Sequence, residues 1–159
     1  MLFRSLGDYE RDTLLGTFNS AVLLSVVERK SRRVFLKKMP HKTAKAAHDA
    51  TMSLLRNSPV FTITNDNGSE FSSHESTATK LKARIYFSRP YRPWERGANE
   101  NMNGLLRQYF PRNKDLKDVS RESIKEAEKR LNNRPRKCLG FKTPLEIYRQ
   151  DRSDVALGV

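Results

Sequence analysis

Thr43-Ala44-Lys45-Ala46-Ala47-His48-Asp49-Ala50-Thr51-Met52-Ser53-Leu54-Leu55-Arg56, followed a few residues later by Val60-Phe61-Thr62-Ile63-Thr64, is the stretch on which the fold turns. Thr43 is a suitable N-cap and alanines are abundant. Ala47, Ala50 and Leu54 mark one helical face at i, i+3 and i+7. The period then gives way to an extended β-branched run. A helix that hands over so quickly to a strand, after earlier strands, is a crossover that makes a parallel neighbour.

Upstream, residues 11 to 38 read as three strands: Thr13 to Gly16, Ser20 to Val27, and Arg33 to Lys38. The breaks at 17–19 and 28–32 are short, so these strands form an antiparallel meander. The run Ala21 to Val27 is too apolar for a sheet edge and belongs at the centre, covered on both faces. Downstream, helical residues around Glu75 to Lys82 lead to a fifth strand, Arg84 to Phe87, through a second crossover. From Met102 the chain turns helical again. Met102, Leu105, Leu106, Tyr109 and Phe110 line one apolar stripe, and Pro111 closes the run. Ser120 caps a helix running to about Asn132, with Val119 and Ile124 as a hydrophobic staple. Thr143-Pro144-Leu145-Glu146 starts a last helix with a capping threonine, a proline at the first position and a glutamate at the third. The order β-β-β-α-β-α-β-α-α-α predicts an α/β protein. Its mixed five-stranded sheet, three antiparallel strands then parallel βα units, is flanked by helices and compatible with the ribonuclease H-like fold. One domain over 1–150 is expected, with the tail 151–159 fraying.

Lys+Arg number 31 against 18 Asp+Glu, a formal charge of +13. The excess runs all along the chain, so a folded basic surface and a polyanionic partner, nucleic acid first, are expected. The single cysteine, Cys138, excludes an internal disulfide and a cysteine-based zinc cluster, and points to a reducing compartment. His41, His48 and His74 lack metal-ligand spacing. No apolar run approaches a membrane span, and the acids near the N-terminus do not resemble a signal peptide. A cytoplasmic protein with no membrane partner is expected.

Asp66 stands at the end of the fourth strand in Thr64-Asn65-Asp66-Asn67-Gly68-Ser69-Glu70-Phe71. Asp-Asn-Gly is an ordinary turn signal, yet the carboxyl ends of parallel strands are where α/β sites form. Asp12 can project beside it if the two strands are adjacent. Asp8 and Glu10 compete for that role, because residues two apart share a strand face. Glu100 and Arg107, two turns apart, face away from the apolar stripe of the helix that follows. On an arbitrary helix they are a solvated face, and the other acids decide otherwise. A divalent cation among Asp12, Asp66 and Glu100 would meet the cost of three clustered carboxylates. Oxygen-only ligation suits Mg²⁺ or Mn²⁺, and two such ions suit phosphodiester chemistry.

Thirty-three residues, positions 67 to 99, lie between Asp66 and Glu100. That spacing, with its flanking residues, resembles the DDE transposase and retroviral-type integrase catalytic core. More narrowly, the Asp66 stretch, Trp94-Glu95-Arg96-Gly97-Ala98-Asn99-Glu100-Asn101-Met102-Asn103-Gly104-Leu105-Leu106-Arg107 and Asn132-Asn133-Arg134-Pro135-Arg136-Lys137-Cys138-Leu139-Gly140-Phe141-Lys142-Thr143-Pro144 resemble the insertion-sequence-thirty group of bacterial transposases. The likeness covers about Gly7 to Tyr148. The first motif departs from it: Tyr9-Glu10-Arg11-Asp12 stands where the family usually has Trp-Glu-Gly-Asp, so Arg11 replaces a glycine.

The resemblance implies that Asp12, Asp66 and Glu100 are catalytic metal ligands and that Arg107 lies along DNA near the scissile phosphate. It implies metal-dependent cleavage of transposon ends followed by strand transfer, hence DNA integration, recombination and transposition, by at least a dimer on DNA. In the loop from Arg89 to Gly97, Tyr91 and Trp94 are candidates to stack on an unpaired base, with Arg92 and Arg96 on phosphates. Packing of these aromatics under the loop is the alternative. Glu70 and Glu95 are supporting acids at best. Family members carry a helix-turn-helix domain ahead of the core, and none is expected here. A truncated, catalytically silent remnant that binds DNA or an intact transposase is the alternative function.

Overall fold

The computed structural model describes residues 5–19 and 21–156. Five strands, β1 (Asp8–Leu15), β2 (Val22–Glu28), β3 (Val34–Met39), β4 (Thr62–Asn65) and β5 (Arg84–Phe87), form one sheet in the order β3-β2-β1-β4-β5. β3, β2 and β1 are antiparallel neighbours, and β1, β4 and β5 are parallel. The helices are α1 (Ala44–Leu55), α2 (His74–Leu81), α3 (Gly97–Leu106), α4 (Arg121–Asn132) and α5 (Pro144–Ala156). This is the element order expected from the sequence.

Every residue of β2 is buried. Its alternation divides the core in two, because successive side chains leave a strand on opposite faces. Val22, Leu24 and Val26 pack with Ala47, Ala50 and Leu55 of α1, with Phe71 and with Tyr148 of α5. Leu23 and Val27 pack with Ala98, Met102 and Leu106 of α3 and with Ile124, Ala127 and Leu131 of α4. Burying so many aliphatic side chains, at about 1.5–3 kcal/mol each, is the main force holding both layers to the sheet.

The caps behave as the sequence predicts. The hydroxyls of Thr43, Ser120 and Thr143 accept the backbone N–H groups of Ala46, Ser123 and Glu146, and Glu146 closes its capping box by accepting the Thr143 N–H. Asn132 and Glu128, one turn apart on α4, serve the outer edge of β3. Asn132 accepts the Val34 N–H at 2.9 Å and donates to the Val34 carbonyl at 2.8 Å, while Glu128 accepts the Leu36 N–H at 2.7 Å. That edge is thereby closed to pairing with another chain.

Several boundaries differ from the sequence reading, those of β1, α3 and α5 the most. β1 starts at Asp8 rather than Thr13, because Glu10, Arg11 and Asp12 each find a polar partner within the fold. α3 starts at Gly97, five residues before the apolar stripe begins. α5 continues through Asp151 to Ala156, where fraying was expected, and Lys30 pairs with Asp151 on it.

Candidate active site

Alternation along β1 sorts its polar side chains. Glu10, Asp12 and Leu14 face α3, and Tyr9, Arg11 and Thr13 face α1 and the turn that follows β4. In the parallel register Arg11 pairs with Asn65, so Asp12 and Asp66 come next to each other where β4 ends. Asp66 is half-buried and accepts the Gly68 N–H at 2.9 Å, which fixes its carboxylate in the turn. Burial raises its pKa above the ordinary carboxylate range. The Gly68 bond opposes that rise, the Asp12 charge adds to it, Arg96 opposes it, and Glu70 adds to it. Two carboxylates held this close favour a cation between them.

Asp12 is held on three sides. One oxygen accepts its neighbour's Thr13 N–H at 2.8 Å; the other accepts from Asn103 at 2.9 Å and from the Arg96 guanidinium. Arg96 precedes α3 by one residue and Asn103 lies two turns on, so the two hold Asp12 from either end of the first two turns of α3. Sequence reasoning put Arg96 on DNA phosphate, whereas the structure places it on Asp12. Glu100 lies between these two residues on α3, exposed, and makes no hydrogen bond or ion pair among the described residues. The structure thus brings Asp12 and Asp66 together and puts Glu100 on the neighbouring helical turn. Among the described residues, no three Asp, Glu, His or Cys side chains converge closely enough to hold a metal ion as they stand. The donor chemistry nevertheless suits a hard cation: carboxylates only, and a cationic group already on Asp12.

Glu10 is the residue that positions this helix. Buried to 1 % exposure, it accepts the Asn99 N–H at 2.8 Å and pairs with Arg29 at 3.1 Å. A carboxylate on free N–H groups at a helix N-terminus is stabilising. It explains why α3 can begin at Gly97 with no side chain of its own as a cap. Burial raises the Glu10 pKa, against the bonds from Asn99 and the Arg29 charge.

Arg11, the departure in the first motif, lies behind the sheet, not in the acid site. At 1 % exposure it donates to Asn65 at 2.8 Å and Thr51 at 2.9 Å and stacks over Phe71 at 4.3 Å. Burial pushes its pKa down to about 10, against the pull of Glu70 and Asp66. Glu70, also buried, accepts from the Thr13 hydroxyl at 2.8 Å and pairs with Lys42 at 3.3 Å. Its carboxylate comes so close to Gly68 that an added Cβ there would sit 2.3 Å from it, so the Asp-Asn-Gly turn needs the glycine for space.

Tyr91 is 97 % exposed and Trp94 68 %, so neither packs under the loop. Arg92 stands 6.0 Å over the Trp94 ring. Glu95 ties the loop by accepting the Arg89 N–H at 2.8 Å and pairing with the Arg89 side chain at 3.2 Å. Arg107 donates to the carbonyls of Leu15 at 2.9 Å and Phe110 at 3.4 Å.

The sequence is 45 % identical over 146 residues to the transposase of insertion sequence element IS4351 from Bacteroides fragilis. It is 40 % identical over 147 residues to that of IS1086 from Cupriavidus metallidurans, and 38 % to transposase InsI of IS30A from Escherichia coli. The homologues of this chain are IS30-family transposases. The alignments cover 91 % of this chain and 45 %, 43 % and 38 % of those three proteins, so the chain spans less than half the length of the IS30-family relatives it matches. No family model matches. The catalytic core of the BIV integrase superposes with a TM-score of 0.72 at 23 % identity, over 94 % of this chain and 97 % of that one. A chain in the structure of a simian T-cell lymphotropic virus intasome bound to the PP2A regulatory subunit B56 gamma gives 0.71 at 22 %, over 93 % of this chain and 57 % of that one. The fold is that of integrase catalytic cores, ribonuclease H-like.

The sequence singled out Asp12, Asp66 and Glu100 but missed Glu10 and Asn103 as partners of α3 and Asp12. The period-2 pattern Glu10–Asp12–Leu14 was the available signal for Glu10. Asn103, one turn after Glu100, was the signal for the Asp12 contact.

Proposed function

We propose that this chain is the catalytic core of a bacterial transposase, a polynucleotidyl transferase that cleaves DNA ends and joins them to target DNA. The observation that carries this reading is the pairing of Asp12 and Asp66 at the ends of adjacent parallel strands, with Glu100 on the helix that grips Asp12. Sequence similarity to transposases over nine-tenths of the chain supports it.

Asp12, Asp66 and Glu100 would hold Mg²⁺ or Mn²⁺, two ions in all, which when bound activate the attacking oxygen and stabilise the leaving oxygen of a phosphodiester. Asn103 orients the Asp12 carboxylate by donating to it. Arg96 supplies positive charge to Asp12 before any other cation does. Gly68 fixes the Asp66 carboxylate, and Glu10 holds the first turn of α3 and with it the position of Glu100. Arg107, anchored on two carbonyls, presents its remaining N–H groups toward a DNA phosphate, and Trp94 and Tyr91 offer stacking faces beside Arg92. DNA is the partner, at least two copies of the chain act together on it, and the bacterial cytoplasm is the place of action. No helix of the described residues is long and apolar enough to cross a membrane.

The contact of Arg96 on Asp12, with Glu100 standing apart, favours a second reading: a catalytically silent core that binds DNA or an intact transposase. Mn²⁺-dependent nicking of duplex DNA by the purified chain, abolished by Asp66→Asn in a variant that melts normally, is the expected result. Equal nicking by Asp66→Asn would end the first reading, and no nicking by the wild type would favour the second.

A further inference from the structure

The β1–β4 ladder ends one residue short of the acid pair. Its last register is Arg11 with Asn65, so backbone pairing between these strands stops just before Asp12 and Asp66. Beyond that point the spacing of the two carboxylates depends on side chains. Behind the sheet, on the face opposite Asp12, a set of polar side chains joins the two segments. Strand alternation puts Arg11 and Thr13, the neighbours of Asp12, on that side. There they meet Asn65, the residue before Asp66, and Glu70 from the turn after it.

Two paths run from one segment to the other. The first passes through Thr13, whose N–H donates to Asp12 at 2.8 Å and whose hydroxyl donates to Glu70 at 2.8 Å. The buried Glu70 carboxylate lies against Gly68 with no room for a Cβ between them, and the Gly68 N–H donates to Asp66 at 2.9 Å. Lys42, from the loop before α1, pairs with Glu70 at 3.3 Å and holds it in place. The second path passes through Arg11, whose Nε donates to Asn65 at 2.8 Å and whose Nη1 donates to Thr51 at 2.9 Å. Thr51 in turn donates to the Ala47 carbonyl at 2.7 Å, so the guanidinium ties the end of β4 to α1.

Stability alone does not call for this cluster. Arg11 Nη2, Asn65 Nδ2 and Glu70 Oε2 are buried without a hydrogen-bond partner among the described residues. Such groups cost stability that apolar side chains of similar volume would not. What the cluster provides is a fixed distance between two chain segments that the backbone no longer holds together.

We propose that Thr13, Glu70 and Arg11 are positioning residues that set the spacing of Asp12 and Asp66 for a divalent cation, taking over where the β1–β4 ladder ends. They act through the two carboxylates and not on the cation itself. This rests on the metal site proposed above and adds to it three residues on the far side of the sheet.

The test is Mn²⁺ titration followed by electron paramagnetic resonance, at a temperature well below the melt of each variant. Thr13→Val keeps a strand-favouring shape but loses the hydroxyl. It is expected to bind Mn²⁺ about 10–100-fold more weakly, the range for lost supporting contacts at metal sites. Thr13→Ser, which keeps the hydroxyl, is expected to bind as the wild type does. Arg11→Lys replaces the guanidinium fork with one ammonium and is expected to weaken Mn²⁺ binding as well. Asn132→Ala disturbs the outer edge of β3, separated from β1 by β2, and is expected to keep wild-type Mn²⁺ affinity. In Mn²⁺-dependent nicking, Thr13→Val should need more Mn²⁺ for its half-maximal rate yet approach the wild-type rate at saturation, because both carboxylates remain.

Wild-type Mn²⁺ affinity in either Thr13→Val or Arg11→Lys overturns the positioning role and leaves the metal site standing. An equal loss in Thr13→Ser and Thr13→Val, or in Asn132→Ala, also overturns it, since packing or stability then accounts for the change. A wild type that takes up no Mn²⁺ overturns both the role and the site on which it rests. The expected ranking of Mn²⁺ affinities in proteins that nick no DNA supports the role and ends the cleavage reading.

Discussion

Replacing Asn103 with alanine separates the support of Asp12 from the stability of the fold. The substitution removes a hydrogen bond from the Asn103 amide to a carboxylate, 2.9 Å long and partly buried. A bond to a charged group contributes about 1.5–3 kcal/mol. Two gains offset that loss. Alanine is the better helix former by roughly 0.5–0.7 kcal/mol in α3, and the substitution removes the Asn103 side-chain oxygen, which is buried without a partner and costs about 1–3 kcal/mol. The terms nearly cancel, so a urea melt should place Asn103→Ala within about 1 kcal/mol of the wild type. The carboxylate, however, loses the donor that orients it. Loss of such supporting contacts typically lowers metal affinity or activity by about 10–100-fold. Mn²⁺ titration followed by electron paramagnetic resonance should show that loss, with Mn²⁺-dependent nicking falling in parallel. Wild-type Mn²⁺ affinity and nicking in a normally folded Asn103→Ala would refute the role given to Asn103.

Trp94→Ala should leave the melt within about 0.5 kcal/mol, because the ring is exposed, while weakening single-stranded DNA binding by about 1–3 kcal/mol if a base stacks on it. A gel-shift titration checks this. Asn132→Ala leaves two buried backbone groups of Val34 without partners and should destabilise by about 2–4 kcal/mol in a urea melt. Glu128→Gln tests a pH dependence. Burial raises the Glu128 pKa above its ordinary 4.5, although the Leu36 N–H and Arg33 oppose the rise. The folded state therefore holds this proton more tightly than the unfolded state. The stability it contributes is fully present below about pH 4.5 and is lost as pH rises through the raised pKa. Relative to Glu128→Gln, the wild type should lose stability over that rise. Parallel curves for the two proteins would contradict the assignment.

Much of the fold was legible because apolar periodicity carries it. The seven-residue run of β2 announced a strand buried on both faces, and the cap signatures at Thr43, Ser120 and Thr143 fixed three helix starts. What escaped was held by partners distant in sequence. The start of β1 depends on Asn99, Asn65 and Arg96, tens of residues away, which turn a polar stretch into a buried strand. The start of α3 depends on Glu10 for the same reason. Arg11 looked disruptive in sequence, yet strand alternation sends it behind the sheet to Thr51 and Phe71. At the site, spacing and motif singled out three acids, of which the structure brings Asp12 and Asp66 together and leaves Glu100 on the neighbouring helix. Arg96 was given to DNA because nothing in the order of residues shows that it reaches Asp12.

A Mn²⁺-soaked crystal structure of the chain tests the central claim most directly. The account predicts metal density ligated by Asp12, Asp66 and Glu100 at roughly 2.0–2.3 Å, with Arg96 displaced from Asp12. Density absent from these carboxylates at saturating Mn²⁺, with Arg96 still seated on Asp12, would contradict it.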